Sequence, residues 1–593
     1  MKNSNLKFVL LGLVLFSSFS FISYRWNTKL TKKVVETTNI KVPAGFVVQI
    51  LASDLGATRH MTISKNGDIY AKLSKLKEGK GIYLLRDTNK DGVIDETKLF
   101  GNYTGTGIVI NKGYLYASSN KGVYRYKLNA NEEVIDTENP ENIVNGLLDH
   151  GRDNAKPFSF DNKSNLYVSI GSYNDACRIP GTGTGMVPCS ILDSAGGIWK
   201  FNADKLNQGF KDGTRYATGI KNAVGTFWNA KTNSLFITAH GRGQFHDFYP
   251  QLYTPKQSQE MPAEAIYELH EGDDAGWPYI YYDQFQNKKI QAPEYGGDGK
   301  KVGGEKAINP AATFPAHMGP NDLLFYTGDQ FPARYKNGAF IAFHGSTIRA
   351  PYPQAGYIVA FVPFVNGKPQ KWEVFADGFT GKDTLVNTSD SKHRPMGLAQ
   401  GPDGSLYISD SKKGKIWKIQ YKGNKESFSE KNLAKMKARE NKTNIKNPDI
   451  VKDNLEKDKV VLGGEKLYQI NCRVCHQQNG QGDGIRFPTI AKTDWVNGNK
   501  DTLIGVMLKG LEGPIKINGQ PFHGAMPKFS QLPDRDIASI LTYIRQNFGN
   551  NADSVSKTSV TIVRQRLRLL KRKEMQLQKE AEAKLNAAAT LRK

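Results

Sequence analysis

Cysteine is scarce, with four in 593 residues, so no dense disulfide framework holds this chain and its domains must rely on buried apolar surface. Two of the four stand in CRVCH, leaving Cys177 and Cys189 alone in the glycine-rich segment NDACRIPGTGTGMVPC. A disulfide between them is the expectation in an oxidising compartment, and no nearby histidine completes a metal site there. Zinc-finger spacing and RNP-type signatures are missing. The formal net charge of +24 is also uneven, with much of the excess in the 422–459 segment and the C-terminal tail. That spread points to anionic surfaces or acidic partners and excludes nucleic acid as the expected partner. The N-terminus lacks both a lipobox cysteine and a clean small-residue cleavage site. Lys2 and Lys7 nevertheless precede an apolar run from Phe8 to Phe16. Residues 1–26 therefore read as an export signal, either cleaved or kept as a membrane anchor. The mature chain is expected in the periplasm or another extracytoplasmic space, soluble or N-terminally anchored.

The chain is too long for one compact core. From about Val42 to Tyr421 one pattern recurs: a polar turn, a short β-branched or aromatic strand, then a partner strand. It is seen in NGDIYAKL, NKGYLYASS, KSNLYVSIGS, TNSLFITAHG, NGAFIAFHGS and DGSLYISDS, followed in places by strands such as GIYLLRD, GGIWKFN or GKIWKIQ. Six returns of this kind predict an all-β six-bladed β-propeller over 42–421, with the long Gly- and Pro-rich insertions forming loops on one face. Within the first return, DTNKDGVID spaces Asp87, Asn89, Asp91 and Asp95 like the start of a calcium loop. Its twelfth position is Lys98 rather than an acid, so a plain hairpin is the preferred reading. Residues 422–459, rich in Lys, Asn, Glu and Asp, read as a solvated linker. Residues 550–593 read as a basic helical tail, either simply solvated or able to touch anionic lipid or a partner.

Between linker and tail, residues 460–549 predict a small all-α domain. In CRVCH, Cys472 and Cys475 lie one helical turn apart and can each add to a haem vinyl group, while His476 presents a ring nitrogen to iron. Ile537, Ile540, Leu541 and Ile544 mark an apolar helical stripe begun by Pro533 and Asp534. Met526, in GAMPKFSQLP, is placed in a loop suited to bring a thioether to the open axial position, with His523 as the nearest competitor. The segment resembles class I cytochromes c.

The propeller region in turn resembles the glucose/sorbosone dehydrogenase family. The resemblance rests on YATGIKNAVG, HGRGQ, EGDDAGWPYIYYD, PAHMGPNDLLFYTGDQFP, FIAFHGSTIR and HRPMGLAQGPDGSLYISDSKKGKIWKI. It implies a pyrroloquinoline quinone site with Lys221 and Asn222 beside the cofactor and Arg394 on a quinone carboxylate. It also implies a calcium held by the carbonyls of Gly241 and Arg242. Arg349 is a further candidate for a carboxylate. Related enzymes carry arginine where this chain has Lys221, which keeps the charge but loses the bidentate fork. Their histidine base aligns by count with Asp153, and His150 stands three residues earlier. His150 is preferred, because its ordinary pKa suits proton abstraction near neutrality. The implied function is an exported quinohaemoprotein that oxidises an aldose or related sugar aldehyde through the quinone. Electrons would pass to haem c and then to an external acceptor, a cytochrome or membrane oxidase. The alternative is a propeller without quinone that serves as a ligand-binding or docking module for the cytochrome.

Overall fold

The computed structural model describes residues 38–445 and 463–570, together with residues 572 and 576. Scattered single positions and the short stretches 346–348, 350–352, 386–387 and 485–486 are excepted. Residues 1–26, expected to act as an export signal, lie outside the described residues. Among the described residues, no helix is long and apolar enough to cross a membrane.

Six sheets succeed one another along the chain as the blades of a propeller, each built on four antiparallel strands, and the third gains a short fifth strand, Asp273–Asp274, paired in parallel with Thr214–Thr218. Their innermost strands are Thr58–Ile63, Ile108–Asn111, Phe158–Phe160, Ala223–Asn229, Pro320–Phe325 and Pro395–Gln400. Each touches the next, and the last touches the first, so they close a ring around a central channel. Second strands such as Ala339–Phe343 and Leu406–Asp410 are buried along their whole length, because neighbouring blades cover both of their faces. This is why the recurring segments read as continuous aromatic and β-branched runs rather than strict alternation. Turns such as the one at Gly67 (φ +92°) need the left-handed backbone that glycine adopts without strain.

The ring is closed by pairing the two ends of the propeller segment. Phe46–Ala52 adds to the outer edge of the last blade, with Phe46 opposite Tyr421 and Ile50 opposite Trp417. Phe46 drops edge-on among Phe331, Phe375 and Tyr421, at centroid separations of 4.8, 5.1 and 4.9 Å. Such aromatic contacts add to the area they bury. The DTNKDGVID segment is a hairpin turn whose acidic oxygens accept from its own backbone: Asp87 from Asp91 N and Gly92 N, and Asp95 from Thr88 N.

The segment after Tyr421 departs from the solvated linker expected for it. Glu430–Arg439 is a helix on the outer strand of the fifth blade. Leu433 and Met436 are buried, and Met436 and Ile445 join the core of that blade. Arg439 pairs with Asp377, and the Asn444 amide donates to the Gly356 carbonyl at 3.2 Å. Two apolar residues at i and i+3 among many lysines make a stripe too narrow to stand out in composition.

In the cytochrome segment, Tyr468, Cys472, Ile504, Met507, Ile537, Ile540, Leu541 and Ile544 share one core. Two features differ from expectation. Leu511–Ile517 and Gln520–Met526 form a two-stranded hairpin, so Met526 ends a strand rather than lying in a loop. The start of the basic tail also belongs to the domain. Residues 557–570 are helical, with Val560 and Val563 in the core and the Arg564 guanidinium on Asp534 at 2.6 Å. Beyond 570, apart from residues 572 and 576, the tail lies outside the described residues.

Met436→Ala should therefore destabilise the propeller by about 2–4 kcal/mol through the cavity it leaves, whereas a residue in a solvated linker would cost nothing measurable. Denaturant melts of the full chain followed by tryptophan fluorescence should move, while melts followed by haem absorbance stay put. Val563→Ala should do the reverse.

Candidate functional site

In each blade the first strand starts where its antiparallel second strand ends. Ala223 pairs with Ala239, Pro320 with Phe343 and Pro395 with Asp410. Residues at the starts of inner strands therefore meet residues just past the ends of second strands at one mouth of the channel. Arg59, Lys156, Lys221, Asn222, Asn321 and Arg394 come from the first group. Gly171, His240, His344 and Ser411 come from the second.

The Lys221 ammonium lies 3.0 Å from Asp153 Oδ2 and 3.3 Å from Asp175 Oδ1, and Arg152 approaches Asp175 at 2.8 Å. Burial alone would push Lys221 down, but the two carboxylates overcome it and hold the ammonium above its usual range. Burial likewise works to raise Asp175, and Lys221 and Arg152 reverse it, keeping the carboxyl well below its usual range. The four charges balance, so the charge of Lys221 is committed to protein carboxylates. Asn222 donates to Asp153 Oδ1 at 3.3 Å and approaches His240 Nδ1 at 3.4 Å, while its Oδ1 is buried and unpartnered. A Cβ at Gly171 would meet that oxygen at 2.7 Å and the Asp153 carbonyl at 2.5 Å.

Across the mouth, two guanidiniums make no ion pair with a carboxylate among the described residues. Arg59 donates from Nε to the Thr106 hydroxyl at 3.1 Å. Arg394 donates to the carbonyls of His344, at 3.0 Å, and Gly345. Its backbone is fixed by Asp410 Oδ1 at 2.9 Å, and Asp410 is itself held by His393 at 2.7 Å. Burial, and then the neighbouring Arg394, bring Arg59 down to about 10. Burial also lowers Arg394. Both guanidiniums, added to burial, drive His344 well below the ordinary histidine range, and burial with Lys221 brings His240 to about 4. The mouth thus has neutral imidazoles and unneutralised guanidiniums, an environment that favours a bound anion.

His150 Nε2 sits 3.2 Å from the Gly171 carbonyl, which can only accept, so the proton belongs on Nε2. Nδ1 is left as the lone-pair nitrogen, buried and without a partner. Burial lowers this imidazole below its ordinary value, so it is neutral near pH 7. Asp153, in the left-handed region at φ +47°, is already engaged by Lys221 and Asn222. Arg349 is 1 % exposed and gives Nε to the Pro353 carbonyl at 3.0 Å. Its Nη1 goes to the carbonyls of Gln259 and Ala316, at 2.9 and 3.1 Å. It braces the insertion loops, and its charge is felt at Glu264 rather than at Arg394.

Gly241 and Arg242 line a cavity of about 60 Å³ together with Lys221, His240 and Tyr281. The Arg242 side chain turns away to Glu294 and stacks over Phe245 at 4.2 Å, so only its backbone faces the role expected of it. No cluster of three or more acidic, histidine or cysteine side chains lies there among the described residues. Cys177 and Cys189 are joined as a disulfide. It anchors the chain two residues after Asp175, whose carbonyl accepts from Trp277 Nε1 at 2.8 Å.

In the cytochrome segment, Arg473–His476 forms a helical turn that sets Cys472 and Cys475 beside His476. His476 Nδ1 is 3.0 Å from the Pro488 carbonyl, so Nδ1 carries the proton and Nε2 is the nitrogen left for iron. Strand alternation separates the two candidate axial groups. Met526 packs against the core, whereas His523, three residues earlier, is exposed on the other face.

Arg59, His240 and His344 were not anticipated. Their signal is visible only afterwards: Arg59 in ATRHMTI begins an inner strand as Arg394 does in HRPMGLA, and AHG and FHG both end second strands.

Residues 461–548 match the cytochrome c family model. Cytochrome c-552 of Thermus thermophilus is 40% identical over 91 residues, covering 15% of this chain and 69% of that protein. The pyranose dehydrogenase PQQ domain of Coprinopsis cinerea shares the propeller fold at TM-score 0.50 and 18% identity. It covers 65% of this chain and 98% of that one. The calcium structure of a Trichoderma reesei carbohydrate-active enzyme of family AA12 aligns at TM-score 0.52 and 18% identity, over 66% and 99% of the two chains. The propeller itself, over residues 40–422, matches the TrAA12-like model, and the chain accordingly belongs to the TrAA12-like family, with a cytochrome c domain joined behind its quinone-dehydrogenase-like propeller.

Proposed function

We propose that this chain is a quinone-dependent dehydrogenase of aldoses or related sugar aldehydes that passes electrons to its own haem c. The observation that carries the reading is the pair of half-buried guanidiniums, Arg59 and Arg394, facing the channel mouth without a carboxylate partner among the described residues. Pyrroloquinoline quinone is a tricarboxylate, and the orphaned Asn222 Oδ1 nearby supplies a further polar contact. When bound, the quinone supplies a two-electron oxidant. Arg59 and Arg394 would hold its carboxylates, while Lys221 keeps Asn222 and Asp153 in place rather than contacting a carboxylate itself. The Gly241 and Arg242 carbonyls are hard oxygen donors suited to calcium, with the remaining ligands drawn from water and cofactor.

His150 is the proposed base. With Nε2–H tied to the Gly171 carbonyl, Nδ1 can accept the proton of the anomeric hydroxyl as the sugar is oxidised to its lactone. Cys472 and Cys475 would hold haem as thioethers, with His476 and Met526 on iron, and the haem supplies a one-electron relay to an external acceptor. A covalent haem site and a disulfide both support assembly outside the cytoplasm.

The test is to add quinone and calcium to the purified haem-loaded protein and follow haem reduction by an aldose. If the quinone fails to bind, the dehydrogenase reading falls and a docking role for the propeller replaces it. Arg59→Ala and Arg394→Ala should each weaken quinone binding by about 2–5 kcal/mol in a fluorescence titration, and Arg349→Ala should do so much less.

His150→Ala should spare quinone binding and lower kcat by roughly a hundredfold or more. Because burial lowers this imidazole, the base is deprotonated already at mildly acidic pH. In wild type, kcat/KM should hold as pH falls past the ordinary histidine value and drop only below it. A profile breaking at or above that value would assign the base elsewhere.

Met526→Ala should abolish the sulfur-to-iron charge-transfer band and lower the haem potential. An unchanged spectrum would give the axial position to another ligand, His523 first.

A further inference from the structure

Beside His150 stands an aromatic residue with no structural work to explain it. Tyr173 is 43% exposed, and its ring centroid lies 4.9 Å from that of the imidazole, tilted by 58°. Its hydroxyl makes no hydrogen bond among the described residues. The loop that carries it is held firmly on both sides. Ser172 N donates to the Lys221 carbonyl at 2.7 Å, and the Ser172 hydroxyl bridges to the Asn174 carbonyl at 2.8 Å. Asp175 is locked by Arg152 and Lys221, and Cys177 by its disulfide. A large amphipathic ring, nearly half exposed, is thus presented on a backbone held in place at the mouth.

We infer that Tyr173 is a stacking platform for the pyranose ring of the substrate, and so selects cyclic sugars over open-chain aldehydes. This rests on the reading of His150 as the base. A group that takes the anomeric proton must lie within hydrogen-bond reach of C1–OH. A ring about 5 Å from that group then falls within the span of the sugar itself. The axial C–H groups of a pyranose make one of its faces apolar, and a tyrosine offers an apolar body with a polar tip. An open-chain aldehyde such as glyceraldehyde has no such face.

Kinetics and binding on the full, quinone-loaded protein separate this from a role in merely propping His150. For Tyr173→Ala, KM for glucose should rise roughly five- to tenfold with kcat nearly unchanged, and KM for glyceraldehyde should hold. Tyr173→Phe should behave as wild type. Equal losses in kcat for both substrates would make Tyr173 a positioning residue for the imidazole and overturn the inference, as would an unchanged KM for glucose. Saturation-transfer NMR with glucose provides a readout that does not need turnover. Transfer to the axial C–H protons should be present in wild type and in Tyr173→Phe, and lost in Tyr173→Ala. If wild type shows that transfer yet never reduces its haem, the stacking site stands and the dehydrogenase reading fails. If wild type turns over glucose without it, the stacking site fails and the dehydrogenase reading stands.

Discussion

The mouth of the propeller is organised by one buried ammonium. Lys221 reaches Asp153 in the loop after His150 and Asp175 in the loop just before the Cys177–Cys189 disulfide, tying together two segments that have little regular structure of their own. Both partners are shielded from solvent, so the attraction is weakly screened, and removing the lysine would strand two carboxylates. Asn222, the Gly171 turn and the Tyr173 platform all inherit their positions from this contact. It also settles a division of labour. With its charge already neutralised by Asp153 and Asp175, Lys221 leaves Arg59 and Arg394 as the guanidiniums proposed to meet an external anion.

The same network separates the two candidate bases. Asp153 has one oxygen on an ammonium and the other on an amide, whereas His150 has one nitrogen tied to a carbonyl and the other buried without a partner. An unengaged ring nitrogen is what supports the proposal of the imidazole as the base. Cytochrome geometry follows a similar logic on a smaller scale: the Pro488 carbonyl fixes one nitrogen of His476 and thereby offers the other.

Site and fold are linked through the arrangement of blades. Inner strands that all start at one face concentrate polar and charged residues there, and the closure of Phe46–Ala52 against the last blade holds that ring shut. The helix Glu430–Arg439 extends the propeller beyond its last strand, and residues 557–570 extend the cytochrome core. Less of the intervening chain is free than its composition suggests.

The sequence alone determined the two kinds of architecture, the CxxCH motif at Cys472, Cys475 and His476 on which the proposed haem attachment rests, and the approximate limits of the propeller. These depend on local chemistry: CxxCH spacing, strand-length apolar runs and turn residues that recur. It also named Asn222, Arg394 and His150 among the candidates. Tertiary structure decided what each of them meets. Arg59 stands over three hundred residues from Arg394 in sequence, and only the closed ring makes them neighbours. Arg349 has the same charge as Arg394, yet it is satisfied by three carbonyls of the insertion loops. Met526 and His523 are separated only because a hairpin imposes a period of two. Leu433, Met436 and Val563 gain their burial from surfaces supplied by other segments. Residue type and spacing carry local preference, whereas charge compensation and burial depend on partners that only the folded chain brings within reach.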